Sequence, residues 1–104
     1  GNATCFNENN EADFLQQLET ILEQRKTAEP GTSSYVADLY RKGINKIAQQ
    51  VGDEAVELVI EAVNTDMDIF REEAADLLFH YLLLLHAKGI SLQEIKNCLR
   101  QRHV

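Results

Sequence analysis

Residues 72–87 read EEAADLLFHYLLLLHA, an apolar run carrying Glu73, Asp76 and His80. At helical spacing these three polar residues share one stripe, and Leu77, Leu78, Leu82, Leu83, Leu84 and Leu85 occupy much of the remaining circumference. A helix with so little solvated face must be covered on several sides. The leucines point in more directions than the helices of so short a chain can readily cover, so a second subunit is expected against this helix. No segment of the chain alternates with period two over a strand's length. The expected fold is all-α, a bundle-like domain of four to five helices that pairs as a homodimer.

Upstream, residues 46–57 read KIAQQVGDEAVE. On a helical wheel Ile47, Val51, Leu58 and Ala62 form the centre of an apolar face, with Glu54, Glu57 and Glu61 along its margin. Glu54-x-x-Glu57 and Glu73-x-x-Asp76 are therefore two carboxylate pairs at spacing i, i+3 on successive helices, each bordering apolar surface. Burying ionised carboxylates without a cation is costly, and two such helices side by side bring four of them around one or two ions. All-oxygen ligation suits magnesium, or manganese in its place, and accompanies phosphate chemistry.

Each feature also has a plainer reading. Glu-x-x-Glu is common on solvated helix faces, and a lone His80 is more often a hydrogen-bonded core histidine than a ligand. It follows Asp76 by one turn rather than a Glu by three residues, so the Glu-x-x-His pairs of di-iron bundles are absent. Lys46 alone is an ordinary surface lysine and Tyr35 a packing residue. Arg25 and Lys26 suit the carboxyl end of a helix, where the dipole favours cations.

The helices follow from punctuation. Asn10 with Asp13 is a candidate amino-terminal cap for a first helix from Glu11 to Lys26, with Phe14, Leu15, Leu18, Ile21 and Leu22 as its apolar stripe. Thr27 to Ser34 contains Pro30 and Gly31 and reads as a loop, leaving residues 1–10 as a tail and 11–104 as the domain. Ser33 or Ser34 caps a short helix ending near Gly43. Long helices are expected from Ile44 to Val63 and from Asp66 to Lys88, the latter stopped by Gly89. Ser91 and Glu94 form a capping box for a last helix reaching Arg102.

Composition limits the function. With 104 residues and 44% hydrophobic content, the chain is expected to be one globular domain. Its longest strongly apolar stretch, Leu77–Leu85, is far short of the ~20 residues that span a membrane. The first ten residues lack a signal-peptide pattern, so a cytoplasmic location is expected. A net charge of −7 opposes binding to a nucleic-acid backbone. Cations held by the carboxylates would reverse that sign locally, and Arg25, Lys26, Arg41, Lys42 and Lys46, all upstream of the acidic pairs, offer grips for phosphate. Cys5 and Cys98 are separated by nearly the whole chain and form neither a disulfide framework nor a CxxC pair.

From Phe14 to His103 the chain resembles the phosphoribosyl-ATP pyrophosphohydrolase family, itself similar to the wider all-α nucleoside triphosphate pyrophosphatases. The residues carrying the resemblance are Glu23-Gln24-Arg25-Lys26, Ser33-Ser34-Tyr35, the run from Lys46 to Glu57, Glu73 to His80, and Leu99-Arg100-Gln101-Arg102-His103. The wider group shares mainly the carboxylate pairs, whereas the lysine and the Ser-Tyr loop point to this branch. The resemblance implies magnesium-assisted hydrolysis of phosphoribosyl-ATP to phosphoribosyl-AMP and pyrophosphate in histidine biosynthesis. It implies Glu54, Glu57, Glu73 and Asp76 as catalytic metal ligands. Arg25, Lys26 and Lys46 would contact phosphate, and Ser34, Tyr35 and His80 would belong to the substrate site. Gln50 and Asp53 stand where Lys and Glu are usual, and Val36 where Thr is usual.

Gly1-Asn2-Ala3-Thr4-Cys5-Phe6 resembles the carboxyl-terminal end of the phosphoribosyl-AMP cyclohydrolase family, with Thr4 in place of Ser. That implies a fused cyclohydrolase domain ahead of this one; the other reading is a simple tail. Cys5 alone cannot hold zinc, which takes three or four protein ligands. Two further functions remain open, a general nucleotide-pool pyrophosphatase and a non-catalytic dimeric helical module.

Overall fold

In the computed structural model, residues 2–29, 31 and 33–102 are described, with side chains from residue 14 onward. Gly1, the side chains of the segment up to Phe6 and those of Asn10 and Asp13, and Pro30 and His103 lie outside the described residues. Five helices follow in order: α1 Asn2–Lys26, α2 Tyr35–Lys42, α3 Ile44–Ala62, α4 Met67–Ala87 and α5 Leu92–Gln101. Among the described residues there is no strand, as the absence of period-two patterning requires. None of the helices is long and apolar enough to cross a membrane.

One boundary differs from expectation. α1 begins at Asn2, so its backbone is already helical at Asn10 and Glu11, where a cap and a start were expected. No proline or glycine interrupts residues 2–26, and nothing in that segment obliges a helix to stop. The other ends fall within a residue or two of the punctuation. Ser34 caps α2, its Oγ accepting from the Ala37 N–H at 3.3 Å. Gly43 ends α2 and starts α3 at φ +99°, a value that glycine adopts without strain. Asp66 caps α4 through its side chain, which accepts from the Asp68 and Ile69 N–H groups.

At the other end of α4, Gly89 at φ +77° completes a Schellman motif. Its N–H donates to the His86 carbonyl and that of Ile90 to the Leu85 carbonyl. The Ser91–Glu94 capping box is present in both directions.

α3 and α4 pack antiparallel and form the most extensive helix pair, with α1 and α2 against one end. The core gathers Leu22, Val36, Leu39, Ile47, Leu82, Leu83 and Leu85, with Leu15, Leu18, Tyr40, Phe79, Leu92 and Ile95 packed around them. Tyr40 donates from its hydroxyl to the Leu22 carbonyl at 2.8 Å, tying α2 to α1. Burial, aided by the neighbouring Glu23 charge, pushes that phenol up to about 12, so it remains a donor across the ordinary pH range.

The apolar excess expected on α4 is placed differently in the fold. Leu82, Leu83 and Leu85 are buried within their own chain, because α1, α2, α3 and α5 surround the carboxyl-terminal half of α4. Among the described residues, many exposed apolar side chains lie instead from the middle of α3 to the middle of α4: Val56, Val59, Ile60, Val63, Met67, Ile69 and Leu78, with Phe14, Ile21, Tyr35, Ile44 and Leu99 exposed elsewhere. Ala74, Leu77, Leu78 and Tyr81 line an apolar hollow of about 270 Å³.

Candidate metal and substrate site

The antiparallel register of α3 and α4 sets Glu54 opposite Glu73 and Asp76. Ligand-competent oxygens of these three side chains lie within 4.8 Å of one another. The fourth expected ligand, Glu57, is exposed and outside that group, although its charge is close enough to act on Glu73. One helical turn beyond Glu54, it remains on the same side of α3.

Glu73 is the strained member. Its Oε2 is buried without a hydrogen-bond partner among the described residues. Desolvation, then a hydrogen bond and charge repulsion with Glu54, then the charges of Asp76 and Glu57, hold its carboxyl above the usual range. Carboxylates held this close repel one another unless a proton or a cation lies between them. An orphaned buried oxygen facing two further carboxylates fits a hard divalent cation, and no nitrogen or sulfur donor belongs to the cluster.

His80 follows Asp76 by one turn and is buried. Its Nδ1 lies 2.8 Å from the Asp76 carbonyl oxygen and its Nε2 2.7 Å from the Tyr35 hydroxyl. A carbonyl only accepts, so Nδ1 carries the proton; in the neutral ring Nε2 then accepts from Tyr35. The same hydroxyl accepts from Gln50 Nε2 at 3.4 Å. Phe79 completes the group, its ring 6.4 Å from that of Tyr35 and 5.2 Å from that of His80. The sequence reading missed Phe79, whose spacing marks it only as apolar, and missed the tie from Gln50.

The basic residues divide into two places. Lys46 is half-buried one turn before Gln50 on the carboxylate side of α3, and it forms no ion pair among the described residues. Arg25 and Lys26 lie at the opposite end, lining a cleft of about 150 Å³ with Tyr40 and Arg41. Lys26 also borders Ala87, which is about 16 Å from Asp76 along α4. Lys26 pairs with Glu23 at 3.0 Å, and Arg41 pairs with Asp38 at 2.7 Å. Ser34, besides capping α2, sits directly before Tyr35.

A second polar cluster was not foreseen. Buried His86 reaches Glu23 Oε1 with Nδ1 at 2.6 Å and Glu19 Oε1 with Nε2 at 2.8 Å. Glu19 Oε1 also accepts from the Leu92 N–H at 2.8 Å. The i, i+4 spacing of Glu19 and Glu23 marks one face of α1, but nothing in sequence names their partner.

Antiparallel helices here bring three carboxylates together across an all-α domain, which makes this cluster the candidate metal site. The sequence profile described as phosphoribosyl-ATP pyrophosphohydrolase matches residues 15–103. The chain belongs to that family, whose members are phosphoanhydride hydrolases.

Among similar proteins are the histidine biosynthesis bifunctional proteins HisIE of Vibrio cholerae and Salmonella typhimurium. They are 40% identical over 107 residues and 43% identical over 104 residues, respectively. The corresponding protein of Bacteroides thetaiotaomicron is 42% identical over 105 residues. Each match takes in 99% of this chain and 50%, 51% and 51% of those proteins, in that order. The chain thus spans about half the length of the curated relatives it matches.

Proposed function

We propose that this chain hydrolyses phosphoribosyl-ATP to phosphoribosyl-AMP and pyrophosphate, with magnesium held by Glu54, Glu73 and Asp76 and with Glu57 at the margin. The observation that carries the reading is the convergence of three carboxylates around an orphaned buried oxygen in a member of this family. A bound divalent ion supplies charge neutralisation for the polyphosphate and for the departing pyrophosphate. The chain's own part is placement. Lys46, two turns before Glu54 on α3, forms no ion pair among the described residues and offers its ammonium to the polyphosphate, and Tyr35 is fixed by His80. Arg25 and Lys26 are about 16 Å further along and suit the outlying phosphate of an elongated substrate rather than the bond that is cut.

The test is pyrophosphate release from phosphoribosyl-ATP by the purified chain, with magnesium or with chelator. Magnesium-dependent release with strong preference over ATP is expected, and manganese should substitute. Equal hydrolysis of ATP would favour a nucleotide-pool pyrophosphatase. No turnover, with unfolding indifferent to magnesium, would favour a non-catalytic helical module.

The reading includes two partners and a location. The matched relatives are named bifunctional and are about twice this chain's length, which supports a fused cyclohydrolase domain. The exposed apolar residues of α3 and α4, Val56, Val59, Ile60 and Val63 with Met67, Ile69 and Leu78, support a homodimer, since so much exposed apolar surface is unfavourable in water. A cytoplasmic location goes with this biosynthetic role. For the dimer, Val59→Asp with Val63→Asp is expected to shift the chain from dimer to monomer in light scattering and to remove the dependence of Tm on concentration. A wild-type chain that is monomeric at micromolar concentration and fully active would overturn it.

A further inference from the structure

Tyr35 is an exposed aromatic residue held unusually firmly. It is 53% exposed, yet its hydroxyl has two partners, His80 Nε2 and the Gln50 side-chain amide. With His80 Nε2 and the Gln50 amide already at its oxygen, the hydroxyl has little left to offer a substrate. The ring is what remains available. Its orientation is set from three sides: the hydroxyl tether, the packing on Phe79 and the edge contact with His80 at 5.7 Å. Its backbone is fixed as well, because Tyr35 is the first residue of α2 and follows the Ser34 cap. His80 is itself anchored through Nδ1 to the Asp76 carbonyl, so the tether starts from the backbone of a proposed metal ligand.

We infer that the ring of Tyr35 is the stacking platform for the purine base of the substrate, and that His80 is the positioning residue that sets its angle. The inference rests on the proposed hydrolysis and assigns the part of that site recognising the base. Asp76 and His80 are about 6 Å apart along α4, so a polyphosphate at the carboxylates has its base within reach of the ring. A rigid ring loses little freedom when a base stacks on it, and one base–aromatic contact contributes about 1–3 kcal/mol. Stacking distinguishes a nucleotide from a bare polyphosphate, which the carboxylates and Lys46 alone do not. The tether predicts a graded loss: removing the hydroxyl frees the ring, and removing the ring abolishes the platform.

The experiment compares Tyr35→Phe, Tyr35→Leu and Tyr35→Trp with the wild type, after circular dichroism has shown native helicity. Two quantities are read for each, KM and kcat for phosphoribosyl-ATP and the inhibition constant of inorganic tripolyphosphate, which lacks a base. Tyr35→Leu should raise KM about tenfold with kcat within about twofold. Tyr35→Phe should raise it about threefold, Tyr35→Trp, which also lacks the hydroxyl but keeps a ring, should raise it no further than Tyr35→Phe, and the tripolyphosphate constant should be unchanged in all three. An unchanged KM in Tyr35→Leu, or an equal loss for substrate and tripolyphosphate, would overturn the inference. If Tyr35→Leu fails to fold, the Phe and Trp variants decide it, since a KM in Tyr35→Trp raised as far as a fully lost platform requires would sink it. A wild type that does not turn over phosphoribosyl-ATP would overturn the proposed function and this inference with it, whereas normal wild-type turnover with an indifferent Tyr35 overturns the inference alone.

Discussion

Replacing Glu73 by glutamine is expected to lower turnover by at least about a hundredfold while making the metal-free protein harder to unfold. Losing a group that merely orients a metal ligand costs roughly 10–100-fold in activity or affinity, so losing the ligand itself should reach or exceed the upper end. The stability change has the opposite sign because Glu73 is ill at ease without a cation. Its carboxyl is held above the usual range by desolvation, by Glu54 and by the other two carboxylates.

A raised carboxyl pKa means that the folded protein binds more protons than the unfolded chain between the ordinary value of 4.5 and the folded value. Stability from this group is therefore present below 4.5 and is lost as pH rises through the folded value, leaving a net destabilisation at neutral pH. The amide of the Glu73→Gln variant carries no charge and avoids that loss. Magnesium should raise the Tm of the wild type by mass action and that of Glu73→Gln far less. Thermal unfolding in chelator and in millimolar magnesium, with pyrophosphate release measured in parallel, checks both halves. A variant that is active, or that melts lower in chelator, would show that Glu73 is an ordinary surface acid.

The largest loss of stability is expected at His86. Its two ring nitrogens face carboxylates on α1, and one of those carboxylates holds the first N–H of α5, so three helices meet at one imidazole. His86→Ala removes the ring that bridges the two acids and leaves Glu19, nearly enclosed, with the Leu92 N–H alone of these partners. Leaving a nearly buried carboxylate without a hydrogen-bond partner costs about 1–3 kcal/mol, and more for a charged group, which places the expected value at about 3 kcal/mol. In a domain of this size that lowers Tm by about 12 °C or more.

The pH dependence of this clasp follows from Glu23, whose carboxyl is lowered from 4.5 first by the hydrogen bond from His86 and then by Lys26. A lowered carboxyl contributes stability that is present above 4.5 and lost as pH falls through the folded value. Glu23→Gln should therefore flatten the decline of stability on acidification below about pH 4.5, relative to the wild type. Urea unfolding at pH 7 and at two acidic pH values tests both variants. A His86→Ala protein within about 1 kcal/mol of the wild type would show that the helices are held by apolar packing alone.

Much of this molecule was legible in one dimension because the signals are local. Ser34, Gly43, Gly89 and the Ser91–Glu94 box each act within one turn of the chain, and all fall where the helices start or stop. The i, i+3 spacing of the two acid pairs places each pair on one helical side by the repeat of the helix alone. The missed amino-terminal start of α1 is the exception among local signals, because Asn10 and Asp13 suit a cap but equally allow a helix that began earlier.

What tertiary structure alone decided is which separate patches meet. The register of α3 on α4 brings Glu54 to Glu73 and Asp76 while leaving Glu57 at the rim, a difference of one turn that spacing does not reveal. Arg25 and Lys26 resemble phosphate contacts in sequence, and it is the packing of α1 that sets Lys26 near Ala87, at the far end of α4 from Asp76. Tyr35 and His80, and likewise Glu19 and His86, are 45 and 67 residues apart along the chain and within a hydrogen bond in space. Helical periodicity encodes the direction of a side chain from its own axis; only the packing of one axis on another determines what that side chain touches.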